Sequence, residues 1–127
     1  MTAAPRTPVN AESASPADAY TARHLLAPRT VNRFYVLFPD PWPKRRHWPR
    51  RLIQADFLKA VATALTPAGE LCIKTDDTDY FAFIERKAIE SGLFEREPWD
   101  ENVPFTDFER HYVAQGRSIH SVCLRRR

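Results

Sequence analysis

The chain has 127 residues, 43% of them hydrophobic and 12% aromatic, enough for one packed domain and too few for two. Its net charge is only +3, but the positive residues bunch at 44–51 and 125–127, and that bunching points to a polyanionic partner. No apolar run approaches the roughly 18 residues of a membrane helix, the amino terminus lacks the charged-then-apolar order of a signal peptide, and Glu12 and Asp18 interrupt a segment that a transit peptide keeps free of acids, so no membrane association is expected and the cytoplasm is the expected compartment.

Eighteen of the first thirty residues are Ala, Pro, Ser or Thr. Residues 1–16 lack periodicity and are expected to be disordered or an ill-defined start, leaving 17–127 to hold the fold. A short helix is expected over 17–26 and a Pro-containing loop over 27–30. Residues 31–38, with Phe34, Tyr35, Val36, Leu37 and Phe38, read as a strand that the prolines around Asp40 stop. Residues 50–65 read as an amphipathic helix with Ile53, Phe57, Val61 and Leu65 on one face, ended by Thr66-Pro67-Ala68-Gly69. A strand follows at 70–75. Asp77 or Thr78 is expected to cap a second helix running to Ser91, with Tyr80, Phe81, Ile84 and Ala88 inward and Gly92 closing it.

Two further strands are expected at 93–99 and 118–125. Strand–helix units with helical crossovers imply parallel pairing, and the last pair can return antiparallel, so the fold class is α/β with a three-layer sheet. Asp40 and Asp76 then fall at the carboxyl ends of consecutive parallel strands, where open α/β sheets place their ligands. Cys72 and Cys123 lie inside expected strands with no Cys-x-x-Cys pair and no ligand spacing; both are expected to be buried thiols, and no metal is expected.

Ten residues stand out: Phe38-Pro39-Asp40-Pro41-Trp42-Pro43-Lys44-Arg45-Arg46-His47. A carboxylate held rigidly at a strand end, beside a stacking ring and cations, suits a nucleobase and its phosphates. Trp42 offers a face for a flipped base, and Lys44, Arg45, Arg46, Arg50 and Arg51 offer phosphate contacts. Plainer readings stand beside these. The Pro-Asp-Pro-Trp turn is also an ordinary strand terminator, the basic run is also the solvated start of a helix, Thr106 and Glu109 also make a capping box, and Arg125-Arg126-Arg127 is also a frayed end. His47 and His111 read as surface or phosphate-side residues.

The ten-residue string, with Arg50-Arg51 following, resembles the tRNA (guanine-N7-)-methyltransferase family. Ala17-Asp18-Ala19, Lys74-Thr75-Asp76 and Thr106-Asp107-Phe108-Glu109 match the same family in the same order. The resemblance implies a Rossmann-like fold, S-adenosylmethionine as cofactor, tRNA as partner, and methylation of N7 of a variable-loop guanine. It implies Asp40 as the catalytic acid, Asp18 and Asp40 at the cofactor, and Lys44, Asp76, Thr106, Asp107, Phe108 and Glu109 at the substrate. Enzymes of this family open with a strand, a glycine-rich turn and an acid for the ribose, whereas Gly69, Gly92 and Gly116 form no Gly-x-Gly loop. The expectation is therefore a partial Rossmann-like methyltransferase domain, its carboxyl-terminal half, truncated on the amino-terminal side of the sheet. Strand 31–38 would then present an apolar edge, and the chain would be marginal or paired with a second copy or a complementary amino-terminal half. A noncatalytic basic RNA-binding module, or one subunit of a split methyltransferase, is the alternative.

Overall fold

The computed structural model describes residues 9–12, 27–99 and 107–127. Five strands, β1 (Val9–Glu12), β2 (Val31–Leu37), β3 (Leu65–Thr75), β4 (Phe94–Glu97) and β5 (His120–Arg126), form one sheet in the order β1-β2-β3-β5-β4. Pairings β1–β2 and β2–β3 are parallel, while β5 runs antiparallel to both β3 and β4. Three helices, α1 (Ala55–Ala64), α2 (Thr78–Ser91) and α3 (Asp107–Ala114), and a 3-10 helix at Arg45–Arg50 complete the described elements.

Period-two alternation sorts the strands onto two faces. Phe34 and Val36, Leu71 and Ile73, and Val122 and Leu124 join Phe57 and Val61 of α1 and Tyr80, Ile84 and Ala88 of α2 in the main core. Phe34 and Phe57 meet edge to face at 5.8 Å. Each buried Phe, Leu, Ile or Val among these contributes about 1.5–3 kcal/mol of transfer free energy. The alternate residues Tyr35, Leu37, Cys72 and Cys123 form a smaller cluster with Phe38 on the other face, with Trp99 and Ile119 packed on it. Cys72 and Cys123 are buried and face each other across β3 and β5 as thiols, their sulfurs 2.9 Å apart. That contact and burial push the Cys72 thiol far up, which keeps it protonated.

Several expectations are corrected. Within 1–16, Val9–Glu12 forms a strand, so β2 is paired on both sides and is not an edge. The helix expected over 50–65 is confined to α1, because Pro49 sits in the preceding 3-10 helix and Arg51 and Gln54 are extended. Ile53 and Leu65 are buried as expected, but from outside the helix. Strand β3 begins at Leu65 and shifts register against β2 between Val31 and Arg33, so the Thr66-Pro67-Ala68-Gly69 turn is an irregularity within a longer strand. In α2 it is Phe83 that is buried, with Phe81 packed only partly against the core. Strand β4 stops at Glu97, which leaves Trp99 to pack on the second face. A helix, α3, lies between the last two strands. Nor is the carboxyl terminus frayed: Arg125 pairs with Glu95 and Glu97, Arg126 donates to the Leu65 carbonyl, and Arg127 donates to that of Phe94. The expected helix at 17–26 lies outside the described residues.

Helix α2 begins as anticipated. The Asp77 carboxylate accepts from the Tyr80 amide at 2.7 Å, and Gly92 ends the helix in the left-handed region at φ 67°. The Tyr80 hydroxyl accepts from the Ile53 amide at 3.2 Å, and burial, with a smaller contribution from the charge of Asp40, pushes its pKa from 10.0 up to about 12. A raised acid pKa means the folded chain holds the proton more tightly. The stabilisation is fully present below pH 10 and is lost as pH rises through 12. Urea titrations at pH 9 and above are expected to show the native chain losing roughly 2–3 kcal/mol more than Tyr80→Phe over this window. Parallel losses in the two chains would refute the assignment.

Candidate active site

Strands β2 and β3 are in register with Leu37 opposite Lys74, and the Phe38 amide donates to the Lys74 carbonyl at 2.8 Å. Asp40 lies two residues beyond Phe38, and Asp76 lies two beyond Lys74. Parallel pairing therefore delivers both acids to the same end of the sheet on neighbouring strands, as anticipated. Their settings differ. Asp40 is exposed, and among the described residues no donor bonds to it, whereas Asp76 is half-buried and pairs with Arg117 at 2.9 Å.

The loop that carries Asp40 is bent by more than its prolines. Phe38 and Trp42 both adopt positive φ, 55° and 43°, which a non-glycine residue takes at a cost of about 1–3 kcal/mol. These two strained residues bracket Asp40. Together with Pro41, Trp42 and Pro43 it lines an open concavity of about 290 Å³. The Trp42 ring has the Arg50 guanidinium over it at 5.2 Å and the His47 ring edge-on at 5.7 Å. An incoming base would use the opposite face or displace Arg50.

Lys44, Arg45, Arg46 and Arg50 are exposed on or beside the 3-10 helix. Arg51 corrects the sequence reading. Only 2% exposed, it cannot reach a phosphate in solvent. Its guanidinium lies over Trp48, Phe83 and Tyr80 at 4.6, 4.7 and 5.0 Å, and its Nε donates to the Pro41 carbonyl at 2.8 Å. Burial lowers its pKa, opposed by the charges of Tyr80, Asp77 and Asp79.

Glu109 also has an unexpected neighbour. Buried on α3, it accepts from Lys74 at 2.6 Å, and the Lys74 ammonium sits 4.7 Å above the Trp99 ring. Lys74 shares strand parity with Cys72, so this pair ties α3 to the second face, at the sheet end where the acids emerge. Asp107 and Phe108 lie in the first turn of α3, while Thr106 and Asp18 fall outside the described residues.

Arg117 and His120 were not singled out in the sequence. The His120 ring stacks on Phe81 at 5.1 Å and meets the Thr78 hydroxyl at 3.1 Å, close along the chain to Asp76. Neither carries a local motif. For Lys74 a signal existed: it is a cation directly after the apolar run Leu71-Cys72-Ile73, where only a paired charge is tolerated. Among the described residues no helix is long and apolar enough to cross a membrane, and no group of His, Cys, Asp or Glu could hold a metal ion.

Parallel strands, with β2 and β3 linked through helical segments, a reversed β5–β4 pair and an acid–aromatic–basic loop at the carboxyl end of β2 define an α/β fold of the Rossmann-like methyltransferase class. The family model described as "Putative methyltransferase" matches residues 10–122, and the chain belongs to that family. It is 38% identical to a tRNA (guanine-N(7)-)-methyltransferase of Nocardioides sp., over 85% of this chain and 44% of that protein. A protein of the same name from Thiobacillus denitrificans is 35% identical, over 81% of this chain and 48% of its own length. The chain thus spans about half the length of the curated relatives it matches. Among solved structures, the aminoglycoside resistance methyltransferase NpmB1 aligns with a TM-score of 0.45 at 12% identity, over 84% of this chain and 58% of that one.

Proposed function

We propose that this chain is the carboxyl-terminal part of a Rossmann-like methyltransferase domain that transfers a methyl group from S-adenosylmethionine to N7 of a guanine in tRNA, in the variable loop, and that it works in the cytoplasm. One observation carries the reading: Asp40 and Asp76 leave adjacent parallel strands at the same sheet end, beside an exposed basic 3-10 helix.

The residues at the loop fit the cofactor. An exposed carboxylate with no donor among the described residues, next to proline rings and an indole, suits a sulfonium and its amine and hydroxyl groups. Asp40 would hold it, with Asp18 contributing by family resemblance, and the bound cofactor supplies an electrophilic methyl group. Guanine N7 has a free lone pair and no proton, so the protein needs no general base. Its task is to position the base and keep water away. A carboxylate accepts from N1–H and the exocyclic amine of guanine, and its charge favours the positive charge that N7 methylation places on the purine.

Asp40, the uncommitted acid, takes the catalytic position. Asp76 reaches the base when Arg117 yields it. By family resemblance Lys44, Thr106, Asp107 and Phe108 contact the tRNA, Glu109 supports α3 through Lys74, and Trp42 stacks the extruded base. Arg45, Arg46 and Arg50 neutralise phosphates. Replacing Arg45 and Arg46 by Ala is expected to weaken tRNA binding and to flatten the slope of log affinity against log salt by about 0.7–0.9 for each phosphate that is no longer neutralised. A slope unchanged in filter-binding assays would remove these residues from the interface.

Calorimetry of the full chain with S-adenosylmethionine, together with nucleoside analysis of tRNA incubated with both, tests the proposal. Heat that disappears in Asp40→Ala, and 7-methylguanosine in the digest, are expected. Absent heat beside retained tRNA binding would overturn it in favour of a noncatalytic RNA-binding module, which the exposed basic helix would equally serve.

A further inference from the structure

We infer that Arg51 is a positioning residue that clamps the Asp40 loop to the start of α2 and so sets the spacing of the two acids; its functional consequence rests on the methyl-transfer reading above. The Asp40 loop is short of backbone donors. Pro39, Pro41 and Pro43 have no amide hydrogen, so three of the five residues from 39 to 43 cannot tie the backbone down. The hydrogen bonds that hold this stretch among the described residues are made to its carbonyls, by donors from elsewhere. Two indole or guanidinium donors do this: Arg51 Nε to the Pro41 carbonyl at 2.8 Å, and Trp48 Nε1 to the Pro43 carbonyl at 3.4 Å. The shorter bond acts on the residue directly after Asp40, inside the stretch bracketed by the left-handed Phe38 and Trp42.

Arg51 can hold that carbonyl only because it is itself held. Its guanidinium is enclosed by Trp48, Phe83 and Tyr80. Phe83 and Tyr80 belong to α2, and the Tyr80 amide is bonded by Asp77, the residue after Asp76. A continuous path therefore runs from the Pro41 carbonyl through Arg51 and Tyr80 to the helix cap beside Asp76. An arginine is a poor choice if filling the aromatic cage were its only role. Its Nη2 is buried without a hydrogen-bond partner among the described residues, a cost that an apolar side chain of the same length avoids. The Nε–carbonyl bond is what such a side chain could not make.

Fluorine NMR of the full chain labelled with 5-fluorotryptophan tests this without RNA or cofactor. The three tryptophans give three lines, with Trp42 and Trp99 assigned by the lines lost in Trp42→Phe and Trp99→Phe. Arg51→Met is expected to shift or split the Trp42 line while leaving the Trp99 line in place, and to weaken guanosine monophosphate binding at least about tenfold. Arg51→Lys is expected to restore neither, since lysine has no Nε–H to point at the Pro41 carbonyl from within the chain and no flat group to lie on the Trp48, Phe83 and Tyr80 rings. In a folded Arg51→Met chain, a Trp42 line that stays in place, or a Trp99 line that moves with it, overturns the proposal. Should Arg51→Met fail to fold, the unaltered chain decides. An arginine Nε proton protected from exchange and showing nuclear Overhauser effects to the Trp48 and Tyr80 rings supports the clamp, and its absence overturns it. A chain with the Trp42 shift and no guanine binding in any variant keeps the clamp and removes the methyl-transfer reading.

Discussion

Replacing Lys74 by Met is expected to cost about 3–5 kcal/mol, because it takes the ammonium away from the buried Glu109 carboxylate. Both side chains are almost completely enclosed, 5% and 8% exposed, so water cannot take over. Their 2.6 Å ion pair joins residues 35 apart in sequence and fastens α3 to the carboxyl end of β3. A domain of this size has only about 5–15 kcal/mol in total, so the drop should be plain in a urea midpoint. The double variant Lys74→Met, Glu109→Gln should recover much of it, since two neutral groups need no charge compensation. A double variant as unstable as the sum of its singles would show that the two residues do not act as a pair. If α3 also carries substrate contacts, tRNA affinity will fall with stability in the single variant and return in the double.

The second large effect is catalytic. Asp40→Asn retains shape and removes charge from an exposed position to which no described residue donates, so its unfolding free energy should stay within about 0.5 kcal/mol of the native chain. Methyl transfer to tRNA should nevertheless fall on the order of 10²–10³-fold, the usual consequence of deleting one group that stabilises developing charge. Single-turnover rates at saturating tRNA and cofactor measure this directly. A rate within about threefold of the native one would take Asp40 out of the transition state and leave Asp76 as the candidate.

Much of the fold was legible along the chain. The apolar run ending at Phe38, the cap at Asp77 and the left-handed stop at Gly92 are governed by neighbours within a few positions, and all three occur where local rules put them. The helix expected at 50–65 failed for an equally local reason: the apolar spacing continued through 53 and 65, but Pro49 and the extended Gln54 confined the helix to Ala55–Ala64. Charged residues were harder. Arg50 and Arg51 are adjacent and identical in type, and no rule of spacing separates them, yet one lies exposed over Trp42 and the other is buried against Trp48, Tyr80 and Phe83. Likewise the run Arg125-Arg126-Arg127 read as a polyanion patch or a loose end, but its side chains reach Glu95, Glu97, Leu65 and Phe94.

Order along the chain was enough to specify the strand that delivers Asp40, the motif around it and the family to which the chain belongs, because each depends on residues adjacent in sequence. Folding settled what remained: that Arg51 anchors the loop, that Glu109 pairs with Lys74, and that Arg117 occupies Asp76. A charged side chain comes to rest wherever the folded chain brings it a partner or takes away its water, and both are set by segments dozens of residues away.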